Sequence, residues 1–139
     1  MHRSIFLLLT LSVFSLQAQI QGTREDAVRI LINAFADARN AHDGDSVAAL
    51  YSEDGEWLQN HGTAVVRGRA ALSRLWGSAT GHVDRTISSI EFPGPNIAVV
   101  RVSTEYGPPI GNHAEVFVLV TEDTKSLTNW RIHIHQTLD

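Results

Sequence analysis

The sequence predicts an α+β domain in which helices come first and an antiparallel sheet follows. Apolar residues recur at helical spacing between residues 24 and 41. After residue 82, four segments alternate apolar and polar side chains, as strands do. Short connections join these segments, which favours antiparallel pairing and an arrangement with the helices and the sheet in separate parts of the chain.

Length and composition limit both the fold and the function. The chain has 139 residues, of which 43% are hydrophobic and 19% charged, and its formal net charge is −4. This is enough for one packed domain. The absence of cysteine excludes disulfides, thiolate metal sites and a cysteine nucleophile. Because 11 basic residues stand against 15 acidic ones with no basic run, we expect no nucleic-acid partner.

Residues 1–18 have the pattern of a secretory signal peptide. Arg3 gives a positive start, and the apolar run from Ile5 to Leu16 is too short to cross a bilayer comfortably. We expect cleavage near Ala18, which leaves a mature domain of residues 19–139. That domain is expected to be secreted or periplasmic and not bound to a membrane.

Helices and one strand precede the predicted sheet. Thr23 and Asp26 resemble a capping box at the start of the first helix. The expected elements are a helix over residues 24–41, a short helix after Asp43-Gly44-Asp45, a strand over residues 54–60 and a helix from Gly68 to Trp76. The four strands that follow are expected at residues 83–92, 97–106, 113–120 and 130–137.

This order of elements resembles the nuclear transport factor 2-like superfamily. The stretch from Leu50 to Leu72 is similar to SnoaL-like domains, with an aromatic-x-x-Asp motif, an aromatic strand and a Gly-Arg helix start. Trp130-Arg131-Ile132 resembles the closing motif of the SgcJ/EcaC-type branch. The resemblance covers residues 24–138. It implies a cone-shaped, curved antiparallel sheet wrapped around a long N-terminal helix, with a pocket at the wide end and a homodimer through the outer sheet face.

Members of this superfamily include isomerases, dehydratases, cyclases and epoxide hydrolases, and others only bind ligands or assemble, so the fold does not settle the function. A match to the ketosteroid isomerase branch places its oxyanion tyrosine on Phe35 and its general base on Gln59. Neither side chain can perform that chemistry. The same match points Trp57, Gln59 and His61 into the cone, where they are expected to bind a ligand.

A polar patch is expected on the last two strands. Arg131, His133 and His135 alternate along one strand, so they should share one face. Pairing Leu119 with Arg131 would set Phe117 opposite His133, Glu115 opposite His135 and His113 near Thr137. The alternation alone favours placing this face on the convex outer surface or in a dimer contact, but the resemblance implies that it lines the cone. The candidate catalytic residues are His133, His135 and Glu115, and the candidate ligand-binding residues are Trp57, Gln59, His61, Tyr106, His113 and Arg131.

Three activities fit this patch. Glu115 could orient His135 as a general base, with lyase, isomerase or hydrolase chemistry. The same groups could bind a ligand without turnover. A further alternative is a dimeric interaction domain, whose cone would be filled and have no cavity. His113, His133 and His135 could instead hold a metal ion. We predict a protein that binds a small, largely apolar molecule, with no cofactor and no resident metal, and leave catalysis open.

Overall fold

The computed structural model describes residues 3–123 and 125–138, with side chains from residue 13 onward apart from that of residue 60. The helices are α1 (Arg3–Asn40), α2 (Gly44–Ala49) and α3 (Arg69–Gly77). The strands are β1 (Tyr51–Gln59), β2 (Ala64–Arg67), β3 (Asp84–Gly94), β4 (Ile97–Glu105), β5 (Asn112–Val120) and β6 (Arg131–Leu138), and a short 3₁₀ turn covers Asn60–Gly62. Within the described part of the chain, no helix has the length and hydropathy that a membrane span requires.

The six strands form one curved, open sheet in the order β2-β1-β6-β5-β4-β3, with α1 on its concave side. All neighbouring strands pair antiparallel except β1 and β6, which run parallel. The α+β fold class is therefore confirmed, and one parallel pair makes the sheet mixed. Parallel pairing of β1 and β6 is possible because a long stretch of chain separates them and returns β6 to the same end of the sheet.

The core lies between α1 and the concave face of the sheet. Val28, Ile32 and Phe35 are buried along one side of α1, at the spacing that the sequence predicted. They belong to one apolar cluster with inward side chains of the sheet such as Val100 and Phe117. The expected helix start at Thr23 is wrong. α1 continues through this position, and the threonine hydroxyl donates a hydrogen bond to the carbonyl of Gln19 within the helix, at 3.0 Å, instead of capping it.

The second and third helices pack closely beside α1. Asp43 caps α2, as expected, by accepting a hydrogen bond from the backbone N–H of Ser46 at 3.0 Å. Gly44 lies against α3 so tightly that a Cβ there would come within 2.0 Å of the carbonyl oxygen of Ser73. This contact fixes α3 and, with it, the indole of Trp76 over the concave face. The hairpin of β1 with β2 was not predicted.

A β-bulge in β6 overturns the expected register. Leu119 pairs with Ile132 and Val118 pairs with Ile134, so His133 is an extra residue without a partner on β5. The next pair is Phe117 with His135. The bulge reverses the alternation, and both Ile132 and His135 point into the core although they are three residues apart.

The pairing of β5 with β6 also differs from the expected register beyond the bulge. Glu115 pairs with Thr137, not with His135. Arg131, His133 and His135 consequently do not share a face. Strict alternation requires every residue to be paired, and the bulge breaks that condition.

Candidate functional site

A cluster of polar side chains lies buried between α1 and the concave face of the sheet. We call it the inner cluster. Its members are Tyr51, Arg85, Tyr106, Glu115 and His135. His135 has no exposed surface and Glu115 is 1% exposed. Burial of this much polarity requires that the groups satisfy one another.

Glu115 is the centre of the inner cluster. Arg85 donates to both of its carboxylate oxygens, from Nε at 2.9 Å and from Nη2 at 3.3 Å. The Tyr106 hydroxyl donates to Oε1 at 2.9 Å. His135 Nε2 lies 3.5 Å from Oε2. On the other side of the imidazole, the Tyr51 hydroxyl is 3.1 Å from Nδ1.

These side chains come from five strands of the sheet or from residues directly after them. Tyr51 opens β1, Arg85 is near the start of β3, Tyr106 follows β4, and Glu115 and His135 are inward residues of β5 and β6. Arg85 pairs with Thr104 of β4, whose other neighbour is His113 of β5. The guanidinium of Arg85 therefore reaches across β4 to the carboxylate of Glu115.

Aromatic rings enclose the imidazole of His135. Phe117 stacks on it with ring centroids 4.1 Å apart, and Trp76 lies nearly parallel to it at 5.6 Å. Phe35 of α1 meets it edge-on at 5.2 Å, and Trp57 packs against Trp76 at 5.3 Å. The surroundings of the polar groups are thus largely apolar, which excludes water and strengthens electrostatic contacts.

Burial and the neighbouring charges control protonation in the inner cluster. Burial lowers the pKa of His135 below its ordinary value, and the attraction of Glu115 offsets this only in part. Burial alone would raise the pKa of Glu115, but His135 and Arg85 overcome that effect and hold the pKa well below its usual range. At neutral pH the cluster contains a carboxylate, a guanidinium and a neutral imidazole.

The two tyrosines remain protonated hydrogen-bond donors. Burial and the Glu115 carboxylate raise the pKa of Tyr106 to about 12. Burial raises the pKa of Tyr51 still further. Donation from the Tyr51 hydroxyl to Nδ1 places the imidazole proton on Nε2, toward Glu115, which is the favourable tautomer for this arrangement.

Several buried donors in this region have no hydrogen-bond acceptor. Among the described residues these atoms include Arg39 Nε, Trp57 Nε1, Arg85 Nη1 and Thr104 Oγ1. Each buried unpaired donor costs about 1–3 kcal/mol. A set so rich in N–H and O–H groups suits a molecule that presents acceptor oxygens.

The structure brings only some of the predicted site residues together. Glu115, His135 and Tyr106 meet in the inner cluster, and Trp57 is buried beside it. His113 is half-buried, with its ring edge-on to Tyr106 at 5.5 Å. These placements leave their roles in ligand binding and catalysis as predictions.

His133 and Arg131 do not point into the core, contrary to expectation. The bulge turns the half-exposed His133 to the other side, where its Nδ1 is 3.1 Å from Ser52 Oγ and 3.6 Å from Asp54. Serine and aspartate face the same ring nitrogen, so this trio cannot relay a proton as a catalytic triad does. Arg131 is exposed and lines an open surface cavity of about 270 Å³ with Ser52, Glu53, Arg69, Glu122 and Asn129.

Gln59 and His61 are likewise exposed and outside the core. β1 ends at Gln59, and His61 follows in a turn with a left-handed backbone (φ 56°). Alternation along β1 therefore stops before it can bring either side chain inside.

The three histidines proposed as metal ligands do not converge. His133 lies across the bulge from His135, and His113 packs on Tyr106. Among the described residues, no group of three or more histidine, aspartate or glutamate side chains is placed to hold a metal ion.

Sequence reasoning missed Arg85, Arg39 and Tyr51. Arg85 carried a usable signal, because it has the same parity as Ile87 along β3 and that apolar side is the inward one. Arg39 follows Phe35 by four residues on the buried side of α1. Nothing in the local pattern around Tyr51 showed that its hydroxyl meets His135.

The comparisons with known proteins agree with the fold described above. A family model of the SnoaL-like domain matches residues 32–136. No curated protein matches significantly. The SgcJ/EcaC-type assignment stays a prediction.

Solved structures similar to this chain include three bacterial proteins. A domain with a cystatin-like fold from Nostoc punctiforme has a TM-score of 0.69 and 19% identity, covering 81% of this chain and 75% of its own. A ketosteroid isomerase-like protein from Erwinia carotovora atroseptica has a TM-score of 0.67 and 21% identity, covering 81% and 92%. An NTF-2 like protein from Shewanella oneidensis has a TM-score of 0.66 and 16% identity, covering 83% and 98%. Identities this low establish the shared fold alone.

The protonation of His135 predicts a stability that falls on acidification. Its pKa is lowered in the folded state, so the unfolded chain binds the proton first as the pH falls below 6.5. This stabilisation is fully present above pH 6.5 and is lost as the pH falls toward the pKa that His135 has in the folded protein. The stabilisation contributed by Glu115 is lost as the pH falls below 4.5. Between about pH 7 and pH 5 we expect the free energy of unfolding in urea to decrease by up to ~1.4 kcal/mol per pH unit.

His135→Gln should remove most of this dependence, whatever its effect on absolute stability. His82→Gln is the matched control, since His82 is exposed and pairs with Asp84; it should keep the wild-type slope. An unchanged slope in His135→Gln would show that the buried imidazole does not govern acid sensitivity.

Proposed function

Since this chain belongs to the SnoaL-like domain family, we propose that it binds a small, largely apolar molecule between α1 and the concave face of the sheet. The observation that carries the proposal is the set of buried, unpartnered donors beside the inner cluster. Buried N–H groups without acceptors are rare in folded proteins, and an oxygen-bearing ligand would satisfy them. The rings of Trp57 and Trp76 offer the apolar part of the molecule a flat surface to pack on.

Acid–base turnover is the finer part of the proposal. His135 is neutral at physiological pH and Glu115 orients it, which is the arrangement of a general base. Because Nε2 carries the proton and faces Glu115, the basic lone pair is on Nδ1, and a substrate would reach it by displacing the Tyr51 hydroxyl. Binding without turnover uses the same donors but needs no proton transfer. The two activities are separated by whether a product forms.

Ligand binding is tested with a panel of aromatic ketones, amides and carboxylic acids, using thermal denaturation and isothermal calorimetry. A ligand at 100 times its Kd should raise the free energy of unfolding by about 2.7 kcal/mol. Trp57→Phe removes one indole donor and keeps an aromatic ring, so the best panel member should bind about tenfold more weakly.

Trp130→Phe is the matched control, because the indole of Trp130 already donates to the Leu127 carbonyl at 3.1 Å. It should leave the affinity unchanged. A panel in which nothing binds the wild-type protein would refute the proposal. Where a bound panel member is converted, His135→Gln should abolish product formation while binding persists.

We also propose that residues 1–18 are removed on export, leaving residues 19–139. No side chain from residue 13 to residue 23 is buried, and Phe14 is 73% exposed. Arg24 is held to the sheet, because it donates to the Gly94 carbonyl at 2.9 Å and lies over the ring of Phe92 at 4.0 Å. The side chains of residues 13–23 are thus not part of the domain core.

The export proposal predicts a shortened protein outside the cytoplasmic membrane. Expression of the full chain in a Gram-negative host should give a periplasmic protein whose intact mass corresponds to a start near residue 19. Leu8→Arg interrupts the apolar run and should keep the protein in the cytoplasm at full length. A periplasmic protein that retains Met1 would contradict cleavage.

Homodimer formation through the convex face of the sheet is the third part of the proposal. Val99, Val118 and Ile134 lie side by side on β4, β5 and β6 and are only half-buried. The ion pair of Glu91 with Arg101 borders this apolar stripe. Such a stripe with a charged rim is typical of a subunit interface.

Val118→Lys should convert a dimer to a monomer, because two copies of the new charge would face each other across a two-fold interface. Sedimentation velocity measures the change. Ile30→Lys provides the control, since Ile30 is 69% exposed on α1 and away from this stripe. A wild-type protein that sediments as a monomer at micromolar concentration would exclude the dimer.

A further inference from the structure

The charges around the inner cluster do not balance. Arg85 and Arg39 are both buried, with 2% of the Arg85 side chain and 5% of Arg39 exposed. Among the described residues, Glu115 is the one buried carboxylate, and it is engaged by Arg85. Arg39 donates instead to neutral acceptors, the backbone carbonyls of Gly81 and Thr80. Two buried cations therefore share one buried anion.

An uncompensated buried cation is expensive. Arginine cannot escape the cost by losing its proton, because its pKa is too high. Burial, and after it the repulsion from Arg85, lower the pKa of Arg39, and Glu115 offsets this only in part. An additional negative charge between them would relieve both effects.

Each of the two guanidinium groups also keeps a buried N–H without an acceptor. These are Nε of Arg39 and Nη1 of Arg85. A carboxylate has two oxygens and can accept a hydrogen bond from each side. The excess positive charge is a single one, which matches a carboxylate and not a phosphate dianion.

A groove on the surface reaches Arg85. Two adjoining cavities of about 290 and 400 Å³ open between α1 and β3, and both are lined by Asn33, Ala36 and Arg85. Asp37 and Asp84 lie at the outer part of the groove, where both are exposed and water screens them. The inner end of the groove is thus the positive end.

We propose that the bound molecule carries a carboxylate, which is held between Arg39 and Arg85 and reached through the groove between α1 and β3. This inference rests on the proposed function and adds the chemical class of the ligand. The apolar part of the molecule then extends along the aromatic rings toward His135, and the carboxylate fixes its direction.

The test compares three probes of nearly equal shape: phenylacetate, phenylacetamide and 2-phenylethylammonium. Calorimetry at constant ionic strength should show that phenylacetate binds at least about tenfold more tightly than the amide. The ammonium compound should not bind. Arg39→Gln should abolish the preference for the acid over the amide. Arg29→Gln removes an exposed positive charge from the wall of the same groove and should preserve it.

The possible results separate this inference from the proposed function. Equal affinity for acid and amide in the wild-type protein, with both weakened by Trp57→Phe, would overturn the carboxylate site and leave the pocket in place. Failure of all three probes and of the wider panel to bind would overturn both. If Arg39→Gln fails to fold, the comparison of acid and amide in the wild-type protein still decides whether the carboxylate site exists. Arg39→Lys keeps the positive charge and should then retain part of the preference for the acid.

Discussion

A carboxylate buried in the middle of a small domain must be surrounded by donors, and the interior of this protein is organised around that requirement. Glu115 sits on β5 with almost no exposed surface. A lone charge there would cost several kcal/mol of stability. Arg85 from β3, the phenol of Tyr106 and the imidazole of His135 from β6 share the task of stabilising it. The relative positions of three strands are therefore tied to one side chain.

The same requirement explains why the core combines polar and aromatic groups. The imidazole of His135 is neutral, so it can stack between Phe117 and Trp76 without the desolvation cost of a charge. Phe35 closes the arrangement from α1. A site of this kind is rigid before any ligand arrives, because each ring and each hydrogen bond restricts its neighbours.

Much of the fold could be read from the sequence because it depends on periodicity. The apolar spacing along α1 and the alternation in β4 and β5 predicted which sides are buried, and the structure confirms them. The meeting of Glu115 with His135 was also foreseen, although through the wrong register. The bulge at His133 could not be foreseen, because it depends on how β5 and β6 fit across the curved sheet and not on local residue preference. Arg131 was misplaced for that reason, and Arg85 was overlooked because its partner is 30 residues away.

The bulge in β6 has a consequence for how domains of this shape can diverge. Loss of its single extra residue, His133, would restore strict alternation and leave the following side chains facing as they do now. A deletion of the His133 codon would thus preserve the interior, whereas a strand that kept all its residues but lost the bulge would turn His135 away from α1. In comparing homologous sequences, Ile132 and His135 are the positions to superpose, with a gap allowed between them. An ungapped alignment would match an outward side chain with an inward one and misassign the residues that face α1.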